Sequence, residues 1–163
     1  MNHEPSGKKQ EFGPARPIAD IKHDLARGRE RLTSMMQDAF FPAFTPPWNR
    51  CSKEALTILR TFGFRAISRS RGASPPAPEG MPDFQVNVDL HTRKEQSAAL
   101  GWENLFTELT TGIKDEFCGI MIHHQRMNTN ALKFLEGLLE KMVTMDAFCF
   151  YHVKNLAEGR HET

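Results

Sequence analysis

The chain has 163 residues, 39% hydrophobic and 25% charged, with a formal net charge of +1. That length suits one domain with a real core, and the near-neutral balance gives no electrostatic case for a nucleic acid or an acidic membrane as partner. No apolar run has the length of a membrane span, and the opening residues MNHEPSGKKQEFG lack a signal-peptide core, so the expected location is cytoplasmic.

Residues 1–16 show no hydrophobic period and read as an N-terminal loop. Pro17 then opens a helix with Ile18, Ile21, Leu25, Leu32 and Met35 or Met36 on one face and Arg-rich polar residues on the other. Residues 40–44 read as a short strand stopped by Pro46 and Pro47. Ser52 can cap a second helix carrying Ala55, Leu56, Leu59 and Phe62, and Gly63 can end it. Residues 64–68 read as a strand and 69–83 as a Pro/Gly/Ser loop, and Arg65, Arg69 and Arg71 read as a solvated patch.

Residues 84–90 alternate, with Phe84, Val86, Val88 and Leu90 on one side. The next helix presents Ala98, Trp102, Leu105, Phe106 and Leu109. Residues 117–122 are continuously apolar, as a strand covered on both faces would be. A helix with Leu132, Leu135, Leu138, Leu139 and Met142 follows, then a last strand over 147–153. Cys51, Cys118 and Cys149 form no C-x-x-C pair and read as reduced, mostly buried thiols. The alternation of strands and helices predicts an α/β fold, a partial (β/α) barrel with about five parallel strands and flanking helices. The expected domain spans 17–154, and 155–163 is a polar tail.

In parallel α/β folds the chemistry gathers beyond the carboxyl ends of the strands. Three predicted strand ends carry groups that titrate, donate hydrogen bonds or stack: Pro47-Trp48-Asn49-Arg50, Asp89 with His91, and His123-His124. Each also has a plainer role. The histidines can satisfy loop carbonyls, Asp89 can serve a turn, and Trp48 can anchor a core. Adjacent histidines do not by themselves make a metal site.

Together these stretches resemble the polysaccharide deacetylases of carbohydrate esterase family 4, the NodB-homology domain. FTPPWNR, 44–50, resembles the family's third motif, an aromatic-Arg-Pro-Pro-aromatic-Gly stretch lining the groove. VNVDLHT, 86–92, sits where the fourth motif with its Asp is expected, and GIMIHH, 119–124, resembles the fifth, an apolar strand ending in Leu-His. NHEPSGKKQEFG, 2–13, is similar to a stretch found in one branch of these proteins. The resemblance covers nearly the whole chain. It implies a distorted (β/α) barrel, an N-acetylated glycan as partner and substrate, and a zinc-like divalent metal as cofactor. It implies His123 as the catalytic acid and substrate contacts from Pro47, Trp48, Asn49, Arg50, Asp89 and His124. His3 is the one candidate metal ligand. The rigid Pro46-Pro47 segment would fix one wall of a sugar groove, with Trp48 offering an apolar face to a pyranose ring.

The chain also departs from that pattern. The family's first motif supplies an Asp pair, base and metal ligand, and no Asp-Asp pair occurs here. Its second, His-x-x-x-His, supplies the other ligands and is not present as a whole. Thr45 replaces the usual arginine of the third motif. Amide hydrolysis needs a metal to polarise the carbonyl and activate water, a base, and an acid for the departing amine. Only the acid has a candidate. The expectation is therefore a C-terminal portion of a deacetylase, inactive as this chain alone and able to self-associate through open barrel edges. The alternatives are a non-catalytic carbohydrate-binding relative and an unrelated α/β interaction domain.

Overall fold

The computed structural model describes residues 1–90, 94–115 and 117–159. Local signals set where several of its helices begin. Helix α1, Ile18–Met36, follows Pro17, and the Arg16 guanidinium pairs with Asp24 across its first turns. That arginine holds the Asp24 carboxyl below the ordinary carboxylate range. Helix α2, Lys53–Thr61, starts at Ser52, whose hydroxyl accepts the Ala55 N–H at 3.1 Å. It ends in a left-handed turn at Gly63, φ 74°, where Gly63 N–H donates to Arg60 O and Phe64 N–H to Leu59 O. That pair of bonds satisfies two carbonyls the helix would otherwise orphan, and glycine adopts the conformation without a Cβ penalty.

Strands β1, Ala43–Phe44, and β2, Ala66–Ile67, flank α2 and pair in parallel, Ala43 opposite Ala66 and Phe44 opposite Ile67. Strands β3, Val88–Asp89, and β4, Ile120–Met121, pair the same way around helix α3, Ala98–Lys114. Helices α4, Thr129–Val143, and α5, Val153–Ala157, complete the order. The partial barrel of about five parallel strands does not form. The described residues contain five α-helices and two separate two-stranded sheets, so the chain is mostly helical.

The reason lies in how the predicted strands find partners. The 84–90 pattern is divided between two sheets: Phe84 N–H donates to Ile67 O, whereas Val88 and Asp89 pair with Ile120 and Met121. In 117–122 only two residues join a ladder, and Phe117 and Ile122 are exposed. The predicted strand at 147–153 is absent; Phe148 N–H closes a turn onto Met145 O, and the chain enters α5 at Val153.

The chain divides into two compact units, Met1–Gln85 joined by the stretch from His152 onward, and Val86–Tyr151. Each has a core of its own. In the first, Ile21 and Leu25 of α1 pack with Leu56, Ile58 and Leu59 of α2, together with Cys51, Ile67 and Met81. Full burial of each large aliphatic contributes about 1.5–3 kcal/mol. The N-terminal loop joins this core through Phe12, whose ring meets Phe44 edge-on at 5.3 Å, and Phe44 meets Phe64 at 5.7 Å. Side chains stitch the same loop. Asn2 Oδ1 accepts the Gln10 N–H at 2.9 Å, and Glu4 Oε1 accepts the Ala15 N–H at 3.2 Å. A Cβ at Gly13 would overlap Glu4 Oε1, so a larger residue there would displace that carboxylate.

The second unit has a thinner core. Val88, Leu105 and Leu109 are buried, with Leu90, Cys118, Ile120, Phe134 and Leu138 packed around them. Among the described residues no helix is long and apolar enough to cross a membrane.

The arginine patch also differs from expectation. Arg65 is exposed and pairs with Glu158 at 2.9 Å, and Arg71 is exposed, but Arg69 is only 1% accessible. Its guanidinium donates to Asp83 Oδ2 through Nη2 at 2.6 Å and Nε at 3.0 Å, and to Pro75 O at 2.7 Å. Pairing of this kind lets the guanidinium be buried, although Asp83 Oδ1 has no hydrogen-bond partner among the described residues, and breaking the pair leaves Asp83 uncompensated. Arg69→Ala is expected to lower the unfolding free energy by roughly 3–5 kcal/mol. Arg65→Ala is expected to cost no more than about 1 kcal/mol. Urea titrations of the two variants against the parent protein check both.

Candidate functional site

Pro46 and Pro47 set up a tight turn by fixing φ at two successive positions. Asn49 N–H donates to Pro46 O at 2.9 Å, which makes Trp48 the third residue of a four-residue turn. Its φ is 56° and ψ 18°, the left-handed conformation that a type II turn usually gives to glycine or asparagine. Asn49 continues in the same region at φ 58°. A left-handed bulky residue costs about 1–2 kcal/mol and is a genuine outlier. The turn holds it because its two ends are fixed. Pro46 is fully buried at one end. At the other end, Arg50 Nη1 donates to Lys9 O at 3.4 Å, Ser52 N–H donates to Phe12 O at 2.8 Å, and Cys51 bridges Phe12. Trp48 is thereby left 43% exposed. Pro47, Asn49 and Arg50 are each half-buried beside it.

His3 belongs to the loop that receives Arg50. It is exposed, and its backbone N–H donates to Gln10 O at 3.0 Å. Among the described residues no group of three or more His, Cys, Asp or Glu side chains could hold a metal ion. The donor set around His3 therefore does not fit the zinc-like ion that the resemblance implies.

The second unit holds the other candidates. Asp89 ends β3 opposite Met121, and His123 and His124 follow the end of β4. Parallel pairing thus brings Asp89, His123 and His124 to one edge of one sheet. Asp89 is half-buried, and its N–H donates to Glu108 Oε2 at 3.1 Å. His123 is half-buried and its carbonyl accepts from Arg126 N–H at 2.8 Å and Met127 N–H at 3.1 Å, so its backbone closes the turn after β4; His124 is exposed. His91 lies outside the described residues. Pro47, Trp48, Asn49, Arg50 and His3 belong to the first unit and Asp89, His123 and His124 to the second.

Three contributors are not singled out by sequence pattern. Glu108 sits beside Leu109 on α3, and a carboxylate neighbouring the buried face was the available signal. Asn87 brackets β4, donating to Phe117 O at 2.9 Å and accepting from Gly119 N–H at 2.7 Å. Arg69 gave no local signal, because its partner Asp83 is distant in the chain.

No family model, characterised protein or solved structure matches this chain.

The thiols differ more than their sequence contexts suggest. Cys51 is 1% exposed, Cys118 half-buried and Cys149 exposed, so one of the three lies fully in a core. Burial pushes the Cys51 thiol up to about 11, against the pull of the Arg69 guanidinium, and burial raises Cys118 as well. The raised folded-state value means that the stability from keeping Cys51 protonated is full below the unfolded thiol value of about 8.5. That stability is lost as pH climbs toward 11. A thiol reagent at pH 8 is expected to modify Cys149 first, Cys118 more slowly, and Cys51 only on unfolding. Time-resolved mass spectrometry of the labelled peptides checks the order.

Proposed function

We propose that this chain is a polysaccharide deacetylase-like protein that binds N-acetylated glycans through the Trp48 turn without hydrolysing them. The observation that carries this reading is Trp48 itself, held left-handed at φ 56° with its ring 43% exposed. A core anchor would gain nothing from that strain, whereas a displayed aromatic face suits the apolar face of a pyranose ring. Asn49 and Arg50 flank it with amide and guanidinium groups that can meet hydroxyl and acetamide oxygens.

Asp89 and His123 on one sheet edge favour a second reading, in which His123 supplies the acid of a hydrolase acting on carbon–nitrogen bonds once base and metal come from elsewhere.

Calorimetric titration with a chitin oligosaccharide tests the first reading. Saturable binding is expected, and Trp48→Gly is expected to abolish it. The unfolding free energy should change by no more than about 2 kcal/mol, because relief of the turn offsets the lost contacts of a half-exposed ring. Absence of binding by the parent protein sinks the proposal. Acetate release in the presence of zinc would replace it with the hydrolase reading.

A further inference from the structure

We infer that helix α4 is a homodimerisation face, covered in the dimer by the α4 of a second copy of this chain running antiparallel to it. The inference does not depend on the Trp48 site. Helix α4 is apolar on two sides. Phe134 and Leu138 pack on the core of the second unit, and Met142 is buried. On the other side Leu132, Leu139 and Val143 are 46%, 38% and 70% exposed, with Leu135 half-buried beside them. An open groove of about 970 Å³ follows this side, and α4 with its cap Thr144 supplies all of the described lining. A helix that is apolar all round normally has cover on every side. The spacing from Leu132 to Leu135 to Leu139 is the three-then-four repeat of a coiled-coil seam.

The charges beside the stripe select the occupant. Lys133, Glu136 and Glu140 are exposed along one flank, and among the described residues none of them has an ion-pair partner. Lys141 falls away from this flank by helical periodicity. Glu136 and Glu140, four residues apart, repel each other. An antiparallel pair of α4 helices, related by a two-fold axis between residues 136 and 137, turns the flank onto itself. Lys133 of each copy then lies opposite Glu140 of the other, so the same attractive contact is made twice. In that register Leu132 of one copy enters the hole between Leu139 and Val143 of the other. A parallel pair would instead set each charge against its own kind.

The seam is short, about 22 Å at the rise of an α-helix. The two Glu136 carboxylates also meet near the axis. The dimer is therefore weak and reversible, at the small end of interface sizes.

Sedimentation velocity of the full chain, from micromolar to millimolar concentration, tests the inference. The parent protein is expected to show a reversible monomer–dimer equilibrium. Leu139→Glu, at an exposed position, is expected to leave the helical circular dichroism unchanged and to keep the protein monomeric. Lys133→Glu and Glu140→Lys are each expected to weaken association by about tenfold, because the axis counts each change twice. Mixed in equal amounts, the two variants are expected to recover the dimer, since each altered flank then meets its opposite. Glu136→Gln is expected to strengthen association by removing the repulsion at the axis. A parent protein that stays monomeric throughout the range overturns the inference. A dimer that survives Leu139→Glu also overturns it, by placing self-association on another surface. Failure of the mixed charge variants to pair overturns the antiparallel arrangement.

Discussion

The first unit is organised around one buried guanidinium. Arg69 binds the Pro75 carbonyl and Asp83, both in the loop that it opens, and so draws that loop onto one side chain. A planar fork of donors is suited to that task, where a lysine would offer only a point charge. The arrangement matters for the candidate site because Cys51 directly follows the Trp48–Arg50 turn and bridges to Phe12. The turn thus depends on its continuity with a residue fixed in the core.

That dependence explains how a bulky residue can occupy a glycine-like position. Neither proline holds Trp48 there alone; each fixes only its own φ. Pro46 is sunk in the core, Arg50 reaches back to the N-terminal loop, and Ser52 starts a helix at once, so the residues between have few alternatives. The N-terminal loop is thus part of the support. Its Asn2 and Glu4 side chains replace the backbone ladder that a strand would have provided.

The helices were legible because their signals are local. Pro17, Ser52 and Gly63 act within a few residues, and a 3.6-residue period shows which side is apolar. Strands were not, because a strand needs a partner that its own sequence does not name. The alternation at 84–90 looks the same whether it joins one sheet or is divided between two, and 147–153 has the composition of a strand but no ladder. Arg69 failed as an expectation for a related reason: an arginine in a Pro/Gly/Ser loop is normally solvated, and only the fold supplies Asp83. The site was readable in pieces. Asp89 and the histidine pair could be placed at strand ends because a strand–helix–strand connection favours parallel pairing. The conformation of Trp48 could not be read, since Pro-Pro-Trp-Asn allows several turns, and its strain comes from contacts on either side.

The uneven distribution of buried apolar residues bears on how the native state fluctuates. The second unit has three fully enclosed side chains in its core cluster, whereas α2 alone buries four in the first. Opening free energies follow such differences, so the amide protons of α3 and α4 should exchange with solvent sooner than those of α2. The half-exposed Trp102 of α3 then lies in the part of the molecule that opens more readily.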